Sequence, residues 1–222
     1  AISNLSIIEQ RFNRLNEAEQ YSKIAIKLDV EFENAYCNLG NIYKEQDRLD
    51  EAEQAYRKAI RLKKNFFIAY SNLSLVLKEK NNFEDALSMV KRSININHSY
   101  LNAHNNLAEI YREIGEFKKA SEILETVIKN DNRNYQAYCS LGLVYATKND
   151  FKKSIMLISK ALEINPDFKQ GYSILGKILF KSGNLSDAIS ILNKGLVNQP
   201  NDNHIKAVYL EVCSEISNWE VF

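Results

Sequence analysis

The chain is 222 residues long, with 29 lysines and arginines set against 28 aspartates and glutamates. The resulting net charge of +1 sets up no strong field, which argues against DNA, RNA or an anionic membrane as the main partner. Seven glycines and two prolines are few chain-breakers for this length and point to helices joined by short turns.

No apolar run approaches the roughly 18 residues that a membrane span needs. The N-terminus lacks the basic region and long apolar core of a signal peptide. A cytoplasmic protein with no membrane partner is therefore expected. Cys37, Cys139 and Cys213 are odd in number and widely spaced, which fits a reducing compartment better than a disulfide framework. The chain begins at Ala1, as expected after methionine removal or for a piece of a longer protein.

Along the chain, RLNEAEQ (Arg14 to Gln20) returns 34 residues later as RLDEAEQ (Arg48 to Gln54). That spacing divides the sequence into 1–32, 33–66, 67–100, 101–134, 135–168 and 169–202. Each segment opens with a predicted first helix. It carries Ile2, Tyr36, Tyr70, His104, Tyr138 or Tyr172 at one register. Three residues on comes Leu5, Leu39, Leu73, Leu107, Leu141 or Leu175, followed by the small residues Ser6, Gly40, Ser74, Ala108, Gly142 and Gly176. Tyr43, Leu77, Tyr111, Tyr145 and Leu179 complete the pattern, the first segment departing with Glu9. Positions i, i+3, i+4 and i+7 cover one helix face, and the small residue lets another helix come close.

A turn is predicted at Asp47, Asn81, Gly115, Asn149 and Gly183. The second helix then carries Ala18, Ala52, Ala86, Ala120, Ser154 or Ala188 as the matching small residue. It is expected to end near Pro166 and Pro200, whose places are taken by Lys64, His98 and Asn132 in the middle segments. Gly195, where alanine is usual, is expected to weaken the last second helix by about 1 kcal/mol.

This pattern resembles the tetratricopeptide repeat, a helix–turn–helix unit of 34 residues, over residues 1–202. One helical pair cannot bury its apolar face alone, but stacked copies can. The resemblance implies an all-α, right-handed superhelical solenoid, with first helices lining a concave groove that binds protein or peptide.

Counting positions from Glu33, the first-helix positions 4, 7, 8 and 11 are expected to face the core. Positions 2, 5, 6, 9, 12 and 13 point the other way at about 100° per residue. Position 6 reads Asn4, Asn38, Asn72, Asn106, then Ser140 and Ile174. Asparagine is a mediocre helix former, so propensity does not account for the ladder. Its amide both donates and accepts, and so can pair with the backbone of an extended peptide. The competing reading is that these asparagines brace neighbouring helices. Position 12 reads Lys44, Lys78 and Arg112, and position 13 Glu45, Glu79 and Glu113, rows that Ala146, Thr147 and Phe180 interrupt.

Some relatives in this family clamp a partner's C-terminal carboxylate. Asn41 and Asn72 match the middle of that clamp, but Cys37, Asn102 and Asn106 stand where its basic residues belong. The clamp is incomplete, so capture of a chaperone's carboxyl tail is not expected. The candidate peptide-binding set is Asn4, Asn38, Asn41, Asn72, Asn102, Asn106, Lys44, Lys78, Arg112, Glu45, Glu79 and Glu113. No catalytic or phosphate-binding motif is present, and neither cofactor nor metal is expected. His98, His104 and His204 are not spaced as a metal set, and His104 is expected to be a packed core imidazole. Cys37 and Cys139 share a register three repeats apart, too far to pair.

Residues 203–222 continue as a C-terminal helix and tail. Ile205, Val208, Tyr209, Val212 and Ile216 form a stripe that Ala207, Leu210 and Cys213 broaden. Trp219 and Phe222 are expected to be covered by a following domain or a second copy. YLEVCSEISNWEVF resembles the junction into the catalytic domain of O-linked N-acetylglucosamine transferases, and the asparagine ladder is similar to that family's groove. The leading expectation is a protein-interaction scaffold. The alternatives are the substrate-selecting arm of such a modifying enzyme, and a self-assembly module that forms a homodimer.

Overall fold

The computed structural model describes residues 2–219, and these fold into thirteen α-helices. A first compact unit runs to Ile114. It holds α1 (Ile2–Arg11), α2 (Leu15–Leu28), α3 (Glu33–Glu45), α4 (Leu49–Leu62), α5 (Phe67–Glu79), α6 (Phe83–Ile96) and α7 (Leu101–Glu113). The second unit starts at Gly115, inside the fourth predicted segment. It holds α8 (Phe117–Asn130), α9 (Tyr135–Thr147), α10 (Phe151–Ile164), α11 (Lys169–Lys181), α12 (Leu185–Asn198) and α13 (Asn203–Trp219). Within each unit, antiparallel hairpins stack so that every second helix packs on the next first helix.

The turn between the two helices of a hairpin is set by one left-handed residue. Asp47, Asn81 and Asn149 have φ near 60°, and Gly115 and Gly183 have φ of 82°. Asn13, which the sequence reading did not single out, has φ of 59° and plays the same part in the first hairpin. Asparagine, aspartate and glycine tolerate this conformation best. The residue after it donates its N–H five residues back, as from Arg48 to the Tyr43 carbonyl at 2.8 Å and from Asn82 to Leu77 at 2.8 Å. These bonds satisfy carbonyls that the helix end leaves open.

Second helices end at the same register whether or not proline follows. The residue after each end is extended, and at four of them its side chain closes an Asx turn. Asp29, Asn97, Asp131 and Asn165 accept the backbone N–H two residues on, at 3.0 to 3.1 Å. This explains why His98 and Asn132 can replace proline without lengthening the helix, whereas before Lys64 the extended residue is Lys63, which forms no Asx turn.

The hairpins close through paired positions of complementary size. Position 8 on the first helix meets position 24 on the second. A methyl group on Gly40 would lie 2.7 Å from the Tyr56 ring, one on Gly142 2.6 Å from Ile158, and one on Gly176 2.6 Å from Leu192. Where position 8 is Ser74, position 24 is Val90. In the first hairpin both positions are serine, and Ser6 and Ser22 hydroxyls bond at 2.7 Å. Ala18, Ala52, Ala86, Ala120 and Ala188 are fully buried, as expected for the small residue of the second helix.

First helices bury more than the 4/7/8/11 face. Position 5, expected to point away from the core, is buried in the later repeats as Cys37, Ser71, Asn105, Cys139 and Ser173, and half-buried as Ser3 in the first. Position 10 (Ile42, Val76, Ile110, Val144, Ile178) is buried too. A first helix touches its own second helix, the preceding second helix and neighbouring first helices, so three of its sides are covered. Burial pushes the Cys37 thiol up to about 12, which keeps it protonated and inert.

Gly195 also has a steric reason. A methyl there would lie 2.8 Å from Tyr172 Cβ and 3.1 Å from Ile205 Cδ1. Ile205 occupies position 3, which is Ala35, Ala69, Ala103, Ala137 or Gly171 on α3 to α11, so bulk has moved from one helix to the next. The helix penalty expected for Gly195 is therefore offset by room for Ile205, which is fully buried. On α13, Val208 and Val212 are also buried, whereas Leu210 is 66% exposed. The side chains of Ile216, Trp219 and Phe222 lie outside the described residues, and with them the expectation that the tail is covered.

Ser154 takes the place of that alanine in the fifth hairpin, and its hydroxyl is buried without a hydrogen-bond partner. Removing a buried, unsatisfied hydroxyl should be favourable. Ser154→Ala is expected to raise stability by about 1 kcal/mol, read as a rise of roughly 2–4 °C in the thermal midpoint. A lower midpoint would mean that the hydroxyl is bonded after all.

Candidate functional site

All twelve candidate residues lie in the first unit, on or beside the first helices α1, α3, α5 and α7, which pack side by side. The asparagines do not stand alone on this face. Asn38 donates its amide N–H to Ser3 Oγ at 3.0 Å, reaching from α3 to α1. Asn72 donates to Asn41 Oδ1 at 2.8 Å, from α5 to α3. Asn106 donates to Ser71 Oγ at 2.9 Å and to the Ser71 carbonyl at 3.3 Å, from α7 to α5. Each rung thus ties one first helix to the one before it. The sequence reading missed Ser3 and Ser71; a small residue at position 5 in the first three repeats was the available signal.

The Asn41 carbonyl oxygen is doubly held. Besides Asn72, it accepts the Tyr56 hydroxyl at 2.6 Å. Burial raises the Tyr56 hydroxyl well above its ordinary range, so it stays a neutral donor. Two donors on one oxygen fix the amide orientation and turn the Asn41 NH₂ group away from both. The second hairpin alone has tyrosine at position 24, so no repeat pattern would have revealed this link.

Among the ion pairs of the described residues, the charged rows meet each other only at Arg112 and Glu113. Lys78 binds Glu109 Oε1 at 2.6 Å on the next first helix, and Arg112 binds its neighbour Glu113 at 2.5 Å. Glu45 accepts from Gln10 Nε2 at 2.7 Å. Lys44 is half-buried, while Asn102 and Glu79 are exposed. His104, taken as a packed imidazole, is half-buried with Nε2 2.9 Å from the His98 carbonyl. Since a carbonyl only accepts, Nε2 carries the proton. The Tyr172 hydroxyl makes the same bond to the Pro166 carbonyl at 3.1 Å.

At the start of the ladder a cavity of about 560 Å³ opens between α1, α2 and α3. Ile2, Ile7, Leu28 and Phe32 give it apolar walls, and Asn4, Asn34 and Asn38 bring amides to it. Such a mixture of apolar wall and few polar groups is the usual make-up of a ligand site. Among the described residues, no cluster of three His, Cys, Asp or Glu is placed to hold a metal ion. No helix among them is long and apolar enough to cross a membrane.

The tetratricopeptide repeat family model matches residues 33–66, and a second model of the same description matches 77–141 and 145–210. A tetratricopeptide repeat protein from Parabacteroides merdae is similar in structure, with a TM-score of 0.83 at 17% identity over 96% of this chain and 83% of that one. A chain of the APC/C hetero-tetramer Cut9–Hcn1 is similar at a TM-score of 0.77 and 16% identity over 95% of this chain. The present chain spans only 42% of the length of that one. YrrB, described as having an unusual peptide-binding site, is similar at a TM-score of 0.51 and 18% identity over 84% of this chain and 96% of that one. Comparison with curated proteins finds no match. These matches are to the repeat and lend no support to the resemblance to O-linked N-acetylglucosamine transferases.

Proposed function

Because the chain belongs to the tetratricopeptide repeat family, whose fold is typical of protein–protein interaction scaffolds, we propose that its first unit binds an extended peptide segment along α1, α3, α5 and α7. The observation that carries this reading is the cavity at the first rungs, where apolar walls meet the amides of Asn4 and Asn38. A peptide lying there can seat one large apolar side chain while its backbone runs past the ladder. The neighbours point the same way: YrrB has a peptide-binding site, and the Cut9–Hcn1 chain belongs to a hetero-tetramer. Lys44, Lys78 and Arg112 flank the path and are proposed to favour acidic residues on the ligand, an effect that added salt should weaken.

The test is titration of labelled, end-blocked nonapeptides, each with a single Leu or Phe among alanines and serines, monitored by fluorescence anisotropy. Ile7→Asp is the informative variant, because Ile7 lines the cavity and is 36% exposed, outside the core. Leu- and Phe-bearing peptides are expected to bind, and Ile7→Asp to weaken them at least about tenfold, or 1.4 kcal/mol. Equal affinity for wild type and Ile7→Asp would remove the cavity from the binding path.

A further inference from the structure

The five later first helices show what a covered first helix looks like. Positions 7 and 10 are Leu39 and Ile42 on α3, and the corresponding pairs on α5, α7, α9 and α11 are alike. None of these ten side chains is more than 9% exposed. With position 3 they form a single stripe at i, i+4 and i+7. That stripe is turned toward the preceding second helix. A methyl at Gly171, in position 3 of α11, would lie 2.7 Å from Leu162 of α10, and Ile205 of α13 reaches the site of Gly195 on α12.

On α1 the same two positions are Leu5 and Ile8, and they are 41% and 44% exposed. Phe12, one turn further along the stripe, is 68% exposed. Leu5 and Ile8 thus stand open where every later copy of their positions is closed, and exposed Phe12 prolongs the apolar stripe at a position that the later repeats fill with Gln46, Lys80, Ile114, Lys148 and Ser182. We propose that this stripe is a docking surface for the second helix of a further tetratricopeptide-type hairpin lying outside these 222 residues.

The covering helices within the chain define what fits. Each carries a small residue at position 27, or Val127 in one case, followed by a large aliphatic: Ala25–Ile26, Ala59–Ile60, Ser93–Ile94, Ala161–Leu162. The small residue admits the close approach, and the aliphatic packs beside position 3, as Leu162 does beside Gly171. A second copy of this chain offers no such helix. In each unit α2, α4, α6, α8, α10 and α12 already pack on the first helix that follows. The last helix, α13, is of the first-helix kind and carries exposed Leu210 at position 8, which is small in every other repeat.

The experiment lengthens the chain with a copy of its own residues 33–68 joined ahead of Ala1, which continues the 34-residue register without a break. Docking is expected to raise the thermal midpoint by about 5 °C and to slow amide exchange in residues 2–11 at least about tenfold. Leu5→Asp with Ile8→Asp should abolish both gains in the lengthened chain, while circular dichroism still shows the added helices. In the original chain the same pair should leave the midpoint unchanged and reduce binding of an apolar fluorescent dye. Unchanged exchange in residues 2–11, or unchanged dye binding in the paired variant, overturns the proposal. So does a dimer in sedimentation that Ile8→Asp dissolves, because the face would then belong to a second copy.

Discussion

Gly40→Ser and Tyr56→Val are expected to destabilise the protein separately and to compensate each other in combination. Serine at position 40 puts a Cβ 2.7 to 2.9 Å from three atoms of the Tyr56 ring. The ring cannot swing aside freely, because its hydroxyl is held by Asn41 at 2.6 Å. Overpacking of this kind costs about 1–3 kcal/mol, more than the few tenths gained by removing a helical glycine. Tyr56→Val alone opens a cavity at a fully buried site and frees Asn41, at a cost of about 2–4 kcal/mol. The next hairpin already contains the combination as Ser74 and Val90, both fully buried. Chemical denaturation of the wild type, both single variants and the double variant should give a coupling of at least about 1 kcal/mol in favour of the pair. Additive costs would show that the two positions do not share one space.

Replacing Asn38, Asn72 and Asn106 together by alanine is expected to weaken peptide binding by about 2–4 kcal/mol, or roughly thirty- to a thousandfold. The loss has two sources. Each amide offers a ligand whatever donor or acceptor its bond to the preceding helix leaves over. Each also fixes the position of its neighbour on the face, so truncation removes a rung and loosens the next. If the backbone is what these amides read, peptides of different sequence should lose affinity alike. The three bracing bonds are worth about 0.5–1.5 kcal/mol each to the fold, so binding must be measured well below the lowered thermal midpoint. Unchanged affinity would leave the asparagines as braces and nothing more.

The helical hairpins were legible because their signals are local and repeat. The turn residues Asp47, Asn81, Gly115, Asn149 and Gly183 all adopt positive φ, and the alanines of the second helices are buried where the 34-residue register put them. What could not be read was burial arising between repeats. Cys37 and Ser71 at position 5 were expected to face away because the helical wheel was drawn for one partner, whereas a first helix has several. The candidate site was legible only as a row. That Asn38, Asn72 and Asn106 would spend an N–H on the preceding helix depends on small or polar acceptors one repeat back, at Ser3, Asn41 and Ser71. The part played by Tyr56 depends on a single side chain and has no periodic trace.

The size match between positions 8 and 24 has a consequence for how such a chain can change. Both members of each pair lie within one hairpin: Gly40 with Tyr56, Gly142 with Ile158, Gly176 with Leu192. A lone helix moved from one place to another would bring the wrong half of a pair, and its new partner would meet a void or a clash. A whole hairpin carries its own match with it. Duplication or recombination is therefore tolerated when the break falls in the loop after a second helix, and penalised when it falls in the tight turn within a hairpin. RLNEAEQ and RLDEAEQ begin just past that tight turn, yet they differ at one residue in seven. What packs behind them, Ser6 with Ser22 in one hairpin and Gly40 with Tyr56 in the next, has diverged as a unit.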